Sequence, residues 1–149
     1  MIDGVRINSL RQIPDERGVI MHMMKKSDTV FESFAEVYFS GVYPGAIKAW
    51  HIHKEMTLNY AVPIGQIKLV LYDERQNSAT HGQVQEIFLG YGNYALVTIP
   101  PMVWNGFKGL GTTMSLVANC ATHLHDPDEI MRKNPFSEEI PYNWDIKHG

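Results

Sequence analysis

Two histidines one residue apart, His51 and His53, stand in the stretch GAIKAWHIHKEMTLNYAVPIG (45–65). Three roles suit such a pair: metal ligands, a catalytic base with a helper, or ordinary strand residues. In an extended strand side chains alternate, so both imidazoles share one face. A metal centre asks for three or four converging nitrogen, oxygen or sulfur donors. One strand face supplies two, and His22, His81, His123 and His125 sit at no spacing that completes the set. Proton transfer needs less, because imidazole titrates near neutrality and can both take up and hold a proton.

The elements around the pair read as strands. AEVYFSGVY (35–43), TLNYAV (57–62), IKLVLYDE (67–74), QEIFLG (85–90), YALVTIP (94–100) and TMSLVANCA (113–121) are short and rich in branched or aromatic residues. Turn signals such as YPG, PIG, YGN and GLG separate them, which predicts an antiparallel sandwich or barrel. One helix is expected, over DPDEIMRK (126–133), with Asp126 as cap and Pro127 at the first helical position. The tail NPFSEEIPYNWDIKHG is expected to pack over the barrel or a partner.

Composition narrows the setting. The 149 residues are 44% hydrophobic and 19% charged, the size of one domain (1–149) with one core. A net charge of −3 gives no reason to expect nucleic-acid binding, so a phosphate-bearing ligand would need a local basic cluster. Cys120 is the single cysteine, which fits a reducing compartment. The charged N-terminus does not read as a signal peptide, and no apolar run reaches the length of a membrane span. A cytoplasmic protein is expected.

Glycine, five residues, His51, one residue, His53 follows the opening of the first cupin motif. IPPMVWNGF (99–107) resembles the second. Leu58 and Asn105 stand where a metal cupin carries its other two ligands, so no metal is expected. The order of DERG (15–18), KAWH (48–51), YDERQNSATHG (72–82), IPPMVWNGF and EIPYNW (139–144) resembles the metal-free 3,5-epimerases of dTDP-4-keto-6-deoxy sugars. That resemblance implies an all-β cupin jelly roll, no cofactor, and proton removal beside a ketone with His51 as the base; His53, on the same strand face, is expected as a helper. It implies Lys48 and Arg17 as anion contacts for enolate or diphosphate. A regular strand would turn Lys48 away from His51, so their cooperation requires a bulge or twist. Asn105 and Asn119 are expected as polar pocket contacts, Tyr60 as a pocket residue, and Trp104 or Trp50 as a stacking surface. The family's homodimer, with exchanged N-terminal strands, would carry Arg17 into a neighbour's pocket.

Some family residues are replaced. Leu58 lies near the slot of a lysine, Asn105 in that of a second histidine, and Ala118 in that of the tyrosine acid. Tyr60, Tyr38 and Tyr94 are the strand tyrosines that could stand in. Asp145 is the only acidic residue beyond Trp144 that could orient the base. HIHK (51–54) also resembles the His-X-His-Lys run of the dTDP-sugar 3,4-ketoisomerases, in which paired histidines shuttle a proton on one sugar face. Three functions therefore stand together: epimerase, ketoisomerase, or a sugar-nucleotide-binding cupin without catalysis. A metal cupin with irregular ligands is the remaining alternative.

Overall fold

A computed structural model describes all 149 residues, and every regular element in it is a strand. In chain order these are β1 (Arg6–Ser9), β2 (Gln12–Asp15), β3 (Gly18–Met21), β4 (Glu36–Val42), β5 (Ile47–His53) and β6 (Leu58–Ile64). There follow β7 (Gln66–Tyr72), β8 (Val84–Gly90), β9 (Ala95–Ile99), β10 (Trp104–Gly109), β11 (Ser115–Ala121) and β12 (Ile130–Arg132). Two five-stranded antiparallel sheets face each other as a jelly roll, in the orders β1-β9-β6-β11-β4 and β12-β5-β10-β7-β8. β2 and β3 form a separate hairpin.

Inward positions of both sheets meet in a core that includes Leu58, Val62, Ile67, Leu69, Val97 and Phe107. The tail behaves as expected. Ile140 and Trp144 are buried against Trp50, Ile52, Val70 and Trp104 on the outer face of the second sheet. Tight approaches fix the barrel ends: a Cβ on Gly90 would lie 2.1 Å from the Gly65 carbonyl oxygen, and its φ of +120° is one that glycine alone tolerates easily.

The expected helix over 126–133 is not there. Asp126 does act as a cap, its side chain accepting from the Asp128 N–H at 2.9 Å, but only a turn follows. The chain then enters β12, which pairs with β5 through Ile130–His53, Met131–Ile52 and Arg132–His51. One helical turn is a poor nucleus, and an open sheet edge beside it offers the same backbone groups better partners.

YDERQNSATHG forms a structural knot. Fully buried Asp73 accepts from Arg75 Nε at 2.8 Å and from the hydroxyls of Ser78 and Thr80 at 2.6 Å each. Arg75 reaches on to the Asp3 carbonyl at 2.7 Å, tying down the N-terminus. Burial alone would raise the Asp73 pKa, but these donors hold it well below the usual carboxylate range.

Candidate active site

A cavity of about 620 Å³ opens between the two sheets, lined by His51, His53, Lys48, Tyr38, Tyr60 and Arg132 among others. The second sheet brings the histidines. Trp50 and Ile52 point outward into the apolar cluster, which leaves His51 and His53 pointing in. Their ring centroids lie 6.4 Å apart with the planes nearly perpendicular.

The bulge that Lys48 requires is present. β10 pairs Asn105 with His51 and Phe107 with Lys48, so three steps along β5 match two along β10. The added residue resets the alternation and turns Lys48 into the same cavity as His51. Its Nζ donates to Ser40 Oγ at 2.9 Å. Gly106 makes the bulge possible, since a Cβ there would fall 2.3 Å from that of Ala49.

The two imidazoles differ. Nδ1 of His53 is hydrogen-bonded to the carboxylate of Glu129, which fixes its tautomer with the proton on Nδ1. Glu129 also accepts the backbone N–H groups of Glu55 at 3.1 Å and Met56 at 3.2 Å. Burial pushes the Glu129 pKa up, but His53 and these two amides outweigh it, so the group is a carboxylate. No protein group hydrogen-bonds to the His51 ring, which is half-buried and reached from the cavity. Desolvation, then the charges of His53 and Arg132, push His51 down to about 3. The two rings, one unpartnered at the cavity and one held by a carboxylate, thus stand in different environments on the same strand face.

The opposite wall comes from the first sheet. On β4, Val37 and Phe39 face outward at 45% and 63% exposure, so Glu36, Tyr38 and Ser40 face the cavity. Tyr60 from β6 is buried beside Tyr38; burial, then this neighbour, push its phenol well above the ordinary value.

Several expected site residues act from behind the walls. Asn105 is fully buried; its amide donates to the His51 carbonyl at 3.0 Å and its oxygen accepts from the Tyr60 hydroxyl at 3.4 Å. Asn119, also fully buried, accepts from the Asn59 N–H at 2.9 Å and donates to the Tyr38 hydroxyl at 3.1 Å. Trp104 does not reach the cavity. Neighbouring Asn105 points inward, so Trp104 points outward, where its Nε1 donates to Glu74 at 2.6 Å. Trp50 is likewise outside, donating to the Pro135 carbonyl at 3.2 Å.

Arg17 sits in the β2–β3 turn with its side chain 85% exposed, paired with Asp15 at 2.6 Å and away from its own chain's cavity. Tyr94 is packed in a third apolar cluster. Asp145 is exposed and touches neither histidine; the carboxylate bonded to the histidine pair is Glu129. The helix expected over 126–133 carries Glu129 and Arg132, and no sequence signal ties them to the site. What they share with the site is β12, and only the β12–β5 pairing reveals it. No three histidine, cysteine or carboxylate side chains converge as a metal-ligand set.

The sequence profile of the dTDP-4-dehydrorhamnose 3,5-epimerase family matches residues 1–148. The chain belongs to this family. A crystal structure of a dTDP sugar isomerase from Desulfovibrio desulfuricans G20 superposes with a TM-score of 0.94 at 43% identity, covering 96% of this chain and 92% of that one. The spore coat polysaccharide biosynthesis protein SpsL of Bacillus subtilis is 33% identical, over 99% of both chains. The probable low-salt glycan biosynthesis epimerase Agl13 of Haloferax volcanii is 34% identical, over 95% of this chain and 89% of its own. Membership carries the enzyme class that the motifs implied, a sugar-nucleotide epimerase on a cupin jelly roll.

Proposed function

We propose that this epimerase acts on a dTDP-4-keto-6-deoxy sugar in the synthesis of a surface polysaccharide, with His51 removing a proton from carbon next to the ketone. The observation that carries the reading is the contrast between the histidines: His51 is neutral and unpartnered at the cavity, while His53 is locked to Glu129 behind it. As the carbon proton leaves, charge gathers on the ketone oxygen, and preorganised donors there lower the barrier. His53, oriented by its bond to Glu129, is the helper in this step. Lys48 and Arg132 line the same cavity and suit the enolate or the diphosphate. The names of the family and of its polysaccharide-building relatives support the substrate class.

The same reading makes the protein a homodimer in which Arg17 enters a neighbour's cavity. Val37 and Phe39 on the edge strand β4, with Val19 at 52% and Ile20 at 62% exposure on the hairpin, are apolar surface that a second copy would cover. Gel filtration should then give twice 17.0 kDa; a monomer at micromolar concentration contradicts it.

The test of function is product analysis. Purified protein is incubated with dTDP-4-keto-6-deoxyglucose, and carbon NMR reads both the configuration at C3 and C5 and the position of the ketone. Inverted carbons with the ketone still at C4 support epimerisation. A ketone moved to C3 would support the isomerase that HIHK resembles. Binding of dTDP with no change in the sugar would support a non-catalytic module.

A further inference from the structure

Inversion needs a proton delivered to the face opposite the base, yet the residue in the slot of the family's tyrosine acid is Ala118, a small buried residue on β11. Ala118 is paired with Phe39 on β4, and the next pair in the ladder is Asn119 with Tyr38. The phenol that β11 lacks is therefore available one strand away, on the wall that faces His51 across the cavity.

The hydrogen-bond directions around that phenol are fixed by groups that cannot reverse. The Asn59 backbone N–H can only donate, so the atom of Asn119 that faces it is the oxygen. The amide nitrogen of Asn119 then faces Tyr38 and donates to its hydroxyl oxygen. On the other side, the His51 backbone carbonyl can only accept, so Asn105 turns its nitrogen there and its oxygen toward Tyr60. The Tyr60 proton is thereby committed to Asn105. Tyr38 receives the Asn119 amide on its oxygen, and no carbonyl or amide oxygen takes its own proton, the group beside it being the Tyr60 hydroxyl. Tyr38 is 39% exposed, against 2% for Tyr60.

We propose that Tyr38 is the general acid of this enzyme, relocated from β11 to β4 and aimed into the cavity by Asn119. The proposal rests on the epimerase reading above and adds the residue that completes it. In the forward step the bond between carbon and hydrogen breaks, His51 gains the proton, and the electron pair forms the enolate. Tyr38 then gives its hydroxyl proton to the same carbon from the other side, and the ketone re-forms. One proton leaves carbon and one arrives. The Tyr38 phenolate left behind accepts from the Asn119 amide, and solvent exchange after product release restores both His51 and Tyr38.

The experiment compares wild type, Tyr38→Phe and Tyr60→Phe on dTDP-4-keto-6-deoxyglucose in deuterated water, following both deuterium entry beside the ketone and inversion of that carbon. Tyr38→Phe should lose inversion by about 100-fold or more, the scale of a missing general acid. It should keep deuterium entry with retained configuration, because His51 still removes the proton and returns a deuteron to the same face. A merely structural role for Tyr38 would lower both readouts together, and thermal melting of the variant checks its folding independently. Inversion in Tyr38→Phe within about threefold of wild type overturns the proposal, as does separation of exchange from inversion in Tyr60→Phe and not in Tyr38→Phe. A wild-type protein that neither exchanges nor inverts this sugar overturns the epimerase reading itself, and the role of Tyr38 with it.

Discussion

Glu129→Gln probes the histidine pair through the group behind it. Glutamine keeps the length of the side chain but offers one acceptor oxygen and a donating nitrogen. Glu129 now accepts two backbone N–H groups, from Glu55 and Met56, together with His53 Nδ1. The two amides cannot turn, so the glutamine oxygen goes to them and its nitrogen faces His53. His53 must then present a lone pair at Nδ1 and carry its proton on the other nitrogen. A hydrogen bond to a charged group is worth about 1.5–3 kcal/mol, and losing it from the transition state lowers kcat by roughly 10- to 150-fold. The fold should lose about 1–3 kcal/mol, since the pocket of Glu129 is buried and one acceptor is gone. Two assays together read this: steady-state turnover of the keto-sugar, and nitrogen NMR of the histidine side chains, which distinguishes the tautomers directly. Turnover within twofold of wild type, with the His53 proton still on Nδ1, would refute the argument that Glu129 sets up the pair.

Other consequences are as specific. His51 is held far below its ordinary pKa, so the unfolded chain takes up a proton that the folded one refuses; below about pH 6.5 each unit of acidification should cost up to ~1.4 kcal/mol. Urea unfolding from pH 7 to 4 should show this slope weakened in His51→Gln, and an unchanged slope contradicts the desolvated neutral ring. Gly106→Ala should cost about 2 kcal/mol or more and misplace Lys48 and His51, because the new methyl would overlap Ala49; a variant with wild-type melting and turnover would show that the bulge adapts. Trp104→Phe should lower stability by about 1 kcal/mol through its lost bond to Glu74 while leaving KM for the sugar nucleotide unchanged. A several-fold rise in KM with intact folding would return Trp104 to the binding site.

Much of this protein is legible in its sequence. The strands follow from branched and aromatic runs between turn residues, and the pairing of His51 with His53 on one face follows from the period of a strand. Even the bulge is foreseeable, from the conflict between that period and the need for Lys48 beside His51. What stays hidden depends on long-range pairing. DPDEIMRK carries a good helix cap, but its fate is decided by the free edge of β5, about eighty residues earlier in the chain, and with the helix reading Glu129 and Arg132 drop out of view. Trp104 is misplaced for a related reason: a single strand shows which residues alternate but not which set faces the cavity. Asn105 and Asn119, expected as pocket contacts, lie behind the walls, and their partners on other strands, His51 and Tyr38, make them supports for the site.

The account stands most directly on the rate at which solvent deuterium enters the sugar beside its ketone. Wild-type protein should incorporate it into dTDP-4-keto-6-deoxyglucose, and His51→Gln, with folding verified, should reduce that rate by about 100-fold or more. Undiminished exchange in His51→Gln would mean that another group pulls the proton, and the role assigned to His51 would be wrong.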